Sequence, residues 1–110
     1  MQNRSTSSLR RRRRALLRRL PNLQQILKGS LIERYKPCGK PGCKCAKGSG
    51  HGPKYYLSIS RTGQRPQMDY VPLDYHDQVE EYLANHRLVR EIIGEISRIN
   101  QELLRRRENL

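Results

Sequence analysis

Three cysteines fall within eight residues, Cys38-Gly39-Lys40-Pro41-Gly42-Cys43-Lys44-Cys45, and His51 stands six residues beyond the last of them. Three thiolates and one imidazole make a Cys3His set, a standard closed tetrahedral shell for zinc. Gly39 and Gly42 let the chain double back, Pro41 stiffens the turn, and Gly48, Gly50 and Gly52 give the loop room to bring His51 around. Lys36, Lys40, Lys44 and Lys47 surround the thiols, favour the thiolate form and offset the negative charge of such a centre. Soft sulfur ligands exclude calcium and magnesium, and an iron–sulfur cluster would usually want a fourth cysteine. Zn2+ held by Cys38, Cys43, Cys45 and His51 is therefore the expected cofactor, and a closed shell makes it structural. Thiols without metal, a redox set using Cys43 and Cys45, and a site completed by His76 or by a second subunit are the alternatives. Three is an odd number, which argues against a disulfide framework and for reduced thiols in the cytoplasm.

Net charge is the second signal. The chain has 110 residues, a net charge of +13 and a pI near 10.4. Residues 1–20 carry eight arginines and no acid, residues 21–72 carry +7, and residues 73–110 carry −2. A field of this sign selects polyanionic partners, so DNA or RNA is the expected partner, with no small-molecule substrate. Arg10, Arg11, Arg12, Arg13 and Arg14, with Arg18 and Arg19, are expected to contact phosphates without reading sequence. A solvated tail or a transit peptide is the bland alternative. The first twenty residues hold only four leucines and one alanine of apolar weight, so they read as removable without loss of the fold. Lys54 and Tyr56 would share one strand face with Ser58 and Ser60, and with Arg34, Lys36, Arg61 and Arg65 nearby that face combines cations for phosphates with tyrosine for stacking, while the zinc-held loop would project Lys40, Lys44 and Lys47 outward as further nucleic-acid contacts.

Catalysis finds little support. The acids of the last third recur at helical spacing, as in Asp77/Glu81 and Glu91/Glu95, and read as a solvated face. There is no phosphate-binding glycine loop, nucleophile elbow or His-Glu-x-x-His helix, and His76 and His86 are lone histidines. No run of ~18 apolar residues offers a membrane span.

The elements that must position these residues follow from periodicity. Residues 1–7 read as a disordered basic tail and 8–110 as a single domain. Ser8 would cap a helix from Leu9 to about Leu20, and Pro21 would open a second short helix through Ile26 and Leu27 that Gly29 stops. Strands are predicted over 31–36, 54–60 and 67–71, the last two joined by a turn at Gly63. Together, residues 8–28 form basic helices, 29–72 the zinc knob and sheet, and 73–107 a long helix. That helix would be about 50 Å long, with Val79, Tyr82, Val89, Ile93, Ile96 and Leu103 on a seven-residue repeat and Leu83, Ile92 and Ile99 widening the stripe. Asn100 lies on this seam. The fold class is α+β: basic N-terminal helices, a small three-stranded antiparallel sheet with a Cys/His zinc knob, and a long C-terminal helix.

The run from Gly29 through Cys38-Gly39-Lys40, Cys43-Lys44-Cys45 and His51-Gly52-Pro53-Lys54-Tyr55-Tyr56-Leu57 resembles a family of small basic bacterial proteins of unknown function. The resemblance covers roughly Leu27 to Leu104 and leaves the basic N-terminal extension outside. It implies that the Cys/His set is one unit, and it brings no activity with it. The strand–turn–strand after His51 is also loosely similar to the three-stranded DNA-reading arm modules of phage integrases. The expected function is nucleic-acid binding without catalysis. The rival is a helical scaffold or accessory subunit of a larger nucleic-acid-processing complex, such as that of a mobile element, docking a protein partner or a second copy through the C-terminal helix.

Overall fold

The structure, a computed structural model, describes residues 3–35 and 53–110. Helix α1 (Thr6–Arg18) is followed by strands β1 (Ser30–Arg34), β2 (Lys54–Ile59) and β3 (Gln67–Val71), a 3-10 turn (Leu73–Tyr75) and helix α2 (His76–Arg105). This is the α+β arrangement expected from the sequence. The chain divides into two compact units, one of residues 1–26 with 84–110 and the other of residues 27–83. Among the described residues no helix is long and apolar enough to cross a membrane.

In the first unit, α1 begins earlier than the sequence suggests. Ser5, not Ser8, is the cap: its backbone is extended and its Oγ accepts a hydrogen bond from the Ser8 N–H at 3.1 Å. Thr6 and Ser7, placed in the tail by sequence, are thus the first helical residues. Leu9 and Leu16, two turns apart, are fully buried against Ile92, Ile99 and Leu103 of α2, with Leu20, Leu88 and Ile96 partly buried around them. The first twenty residues are therefore not removable, because they supply one wall of this core.

The second N-terminal helix does not form. Asn22 instead folds the chain into a turn, its Oδ1 accepting from the Gln24 N–H at 3.0 Å and its carbonyl from the Gln25 N–H at 2.9 Å. The Gln25 carbonyl then accepts from the Asn85 side chain at 2.9 Å. Backbone groups that a helix would use are committed elsewhere.

The buried stripe of α2 also differs from the seven-residue repeat. Leu83, Ile92, Ile99 and Leu103 are its buried apolar positions, whereas Ile93 is 60% exposed. From Leu88 the packed residues recur at 88, 92, 96, 99 and 103, the 3.6-residue period of a helix packed on one neighbour rather than a coiled-coil seam. Asn100 is used inside the chain, its Oδ1 accepting from Arg13 Nη1 at 2.5 Å. Past its last turn α2 closes with a C-terminal cap: Arg107 takes φ 58°, its N–H bonds the Leu104 carbonyl, and the Glu108 N–H bonds the Leu103 carbonyl.

In the second unit the three strands form an antiparallel sheet in the order β1-β2-β3. Leu57, Val71 and Leu83 form its core, with Leu27, Leu31, Tyr55, Ile59 and Val79 packed against them. The Leu27 N–H donates to the Tyr82 carbonyl at 3.1 Å. Gly29, expected to stop a helix, instead leads into β1 with φ 135°, where a Cβ would come within 2.6 Å of the Ser58 carbonyl oxygen.

Leu16→Ala should lower the unfolding free energy by about 2–5 kcal/mol, the usual cost of emptying a fully buried leucine site. Urea unfolding measures it, and a loss below about 1 kcal/mol would show that α1 is peripheral to the core.

Candidate nucleic-acid interface

Register determines which side chains share the outer face of the sheet. Arg34 pairs with Lys54, Ile32 with Tyr56 and Ser30 with Ser58, while across β2 Tyr56 pairs with Tyr70 and Ser58 with Met68. Directly opposed residues point to the same side, so three rows form: Arg34 with Lys54, then Ile32-Tyr56-Tyr70, then Ser30-Ser58-Met68. The Tyr56 and Tyr70 rings meet edge-on with centroids 5.8 Å apart, and Tyr70 is 57% exposed. Arg34 and Lys54 are both exposed. Like charges set directly opposite each other destabilise a sheet, so their juxtaposition is a cost that an anion would relieve.

The sequence places Lys54 and Tyr56 on this face correctly and misses Ile32 and Tyr70. The missed signal is the alternation of Met68 and Tyr70, once the turn at Gly63 (φ 70°) fixes the register of β3 against β2. Arg61 is not with them. Its Nη2 donates to the Gln67 side-chain oxygen, and the Gln67 amide donates to both Asp69 carboxylate oxygens at 3.2 and 3.1 Å. Gln67 and Asp69 pair with Ile59 and Leu57, on the core-facing side. Arg65 is exposed in the hairpin connection. Cys38, Cys43, Cys45, His51, Lys36, Lys40, Lys44 and Lys47 lie outside the described residues.

His76 is a packed histidine. Its ring lies 4.4 Å from that of Tyr55, with Nδ1 3.1 Å from Asp77 Oδ1 and Nε2 3.7 Å from Glu80 Oε1.

The arginine run is divided by the turn of α1. Arg12 grips Glu95 with two hydrogen bonds, Nε to Oε2 at 2.6 Å and Nη2 to Oε1 at 3.2 Å. Arg13 donates to Asn100, and Arg10 donates to the Asn109 carbonyl at 2.7 Å. Arg11, Arg14, Arg18 and Arg19 are exposed and have no ion-pair partner among the described residues. Glu102, buried, is held by Arg106 at 3.0 Å and Arg105 at 3.4 Å. Residues 1–26 carry eight arginines and no acid, and residues 84–110 carry six arginines against four acids. The helical unit thus holds +10 of the charge and the sheet unit +3.

The hydrogen bond from Arg12, helped by the charges of Arg12, Arg98 and Arg4, holds the Glu95 carboxyl below the ordinary glutamate range. A depressed folded value adds stability that is present above the unfolded value of about 4.3 and is lost as pH falls through the folded value. Glu95→Gln should therefore flatten the loss of stability on acidification below pH ~4.3 while costing no more than about 1 kcal/mol at neutral pH, since the pair is partly exposed. Thermal melts across acid pH measure this, and an unchanged acid slope would show that the pair contributes nothing.

No curated protein and no solved structure matches the chain. A family model does, over residues 6–81, a span that takes in α1, all three strands and the start of α2. The basic N-terminal helix, which the sequence resemblance leaves outside, is therefore part of the matched region. The chain belongs to DUF6788, a family described as a domain of unknown function.

Proposed function

We propose that this protein binds nucleic acid without catalysing a reaction, using the outer face of its sheet. The observation that carries this is the row Ile32-Tyr56-Tyr70 beside the opposed cations Arg34 and Lys54. Tyr70, exposed beside the half-buried Tyr56, offers a π-face on which a base stacks, at about 1–3 kcal/mol per base, while the neighbouring cations hold the backbone phosphates. The exposed arginines of α1 add phosphate contacts that raise affinity without discriminating sequence. The partner is DNA or RNA.

Binding should weaken steeply with salt. Neutralising about six to eight phosphates gives a log–log slope of roughly −5 to −7 on duplex DNA. Tyr70→Ala should cost about 1–3 kcal/mol on a single strand while leaving the salt slope unchanged, since it removes stacking and no charge. Absence of binding at about 50 mM salt, or a slope near zero, would defeat the reading.

Structural zinc on Cys38, Cys43, Cys45 and His51 belongs to the same reading. Its support is the pairing of Arg34 with Lys54. Cys38 lies four residues after the first and His51 three residues before the second, so both ends of the ligand set start from neighbouring points of one strand pair. Metal analysis should find one zinc per chain, and chelation should lower the melting temperature, because the energy of structural zinc binding is folding energy. Metal-free protein with all three thiols freely titratable would remove zinc from the proposal.

Assembly is favoured by one observation. Ile93 and Leu104 are 60% and 53% exposed and stand eleven residues apart, about three turns along one side of α2, where a partner helix could cover them.

A further inference from the structure

We infer that the cleft where α1 and the residue before its cap meet α2, lined by Arg4, Arg12, Glu95 and Arg98, is a seat for a phosphate group. Its volume is about 370 Å3. At about 30 Å3 of liquid volume per water, that is ample for a hydrated tetrahedral oxyanion. Three guanidiniums face one carboxylate, leaving the cleft at +2. The two oxygens of Glu95 are both taken by Arg12, at 2.6 and 3.2 Å. Arg4 and Arg98 are exposed and have no ion-pair or hydrogen-bond partner among the described residues. Two uncommitted planar donor forks thus converge on a cleft whose third arginine is held in place by Glu95, which suits bidentate recognition of phosphate oxygens. The carboxylate also faces the anion and weakens it, so its removal is informative.

The seat rests on the nucleic-acid reading only for the source of the phosphate, which is either a backbone diester or free inorganic phosphate. Both probes are titrated into the full-length protein, with binding of inorganic phosphate followed through the arginine side-chain N–H resonances and binding of a short duplex through its salt dependence. Inorganic phosphate should give saturable shifts in the wild type that vanish in the Arg4→Ala/Arg98→Ala variant, whose replaced side chains are both exposed. Glu95→Gln should bind phosphate more tightly, by up to about fivefold, since it removes one negative charge from the lining of the cleft. On duplex, the double variant should lose about 1 from the magnitude of the log–log salt slope, the share of one phosphate. Saturation by inorganic phosphate with no binding of duplex would defeat the nucleic-acid reading and leave the seat standing for free phosphate. Equal phosphate shifts in both proteins, or none, together with duplex bound at an unchanged slope, would overturn the seat and leave the nucleic-acid reading intact.

Discussion

A helix that carries five consecutive arginines repels itself, and the helical unit forms only because two leucines of that helix are buried. Complete burial of Leu9 and Leu16 stabilises by about 1.5–3 kcal/mol each. The partly exposed pair of Arg12 with Glu95 is worth about 0–1 kcal/mol. Apolar contact therefore decides that α1 docks, and the ion pair decides its register and rotation. With Leu9 and Leu16 turned inward, Arg12 and Arg13 flank the seam, within reach of Glu95 and Asn100, and Arg11, Arg14 and Arg18 fall along the opposite stripe.

The sheet unit depends on backbone fit rather than charge. Gly29 enters β1 at a φ that suits glycine and lies too near the Ser58 carbonyl oxygen for any side chain. That close approach seats Ser30 opposite Ser58, and every later pairing follows from it, including Arg34 opposite Lys54. Because strand pairing has a period of two, a slip of one residue would carry Tyr56 into the core and Leu57 into water. The outer face is thus a consequence of where one glycine touches β2.

The parts of the fold legible in the sequence are those fixed by local patterns. Alternation placed β2 and β3 within a residue, and the absence of proline after Pro72 marked the long helix. The misses arise where a distant group competes with a local preference. Residues 21–28 have helical spacing of apolar side chains, but Asn22 satisfies its neighbours' N–H groups and Asn85 takes the Gln25 carbonyl sixty residues away. The cap fell on Ser5 because several hydroxyl residues in a row offer equivalent chemistry, and only backbone geometry chooses among them. In the candidate site, Tyr56 was legible from its own strand, whereas Tyr70 required the pairing of two strands. The division of the arginine run was illegible, since an arginine facing Glu95 and one facing water are the same letter. Cys38, Cys43, Cys45 and His51, the most specific pattern in the sequence, lie outside the described residues.

The division of charge bears on how such a protein could discriminate among polyanions. Long-range attraction scales with net charge, and the helical unit carries +10 against +3 for the sheet unit. On the nucleic-acid reading proposed above, most of the salt-sensitive affinity would belong to residues that cannot distinguish one sequence from another, because guanidiniums on phosphates read no bases. The sheet face has few charges and two tyrosines in edge contact, a composition whose energy comes from stacking and is little screened by salt. Raising the salt should thus suppress the contribution of the helical unit first and leave the preferences of the sheet more visible. Selectivity measured at low ionic strength would be diluted by the arginines, and the same measurement at higher ionic strength would report chiefly on Tyr56, Tyr70 and the cations beside them.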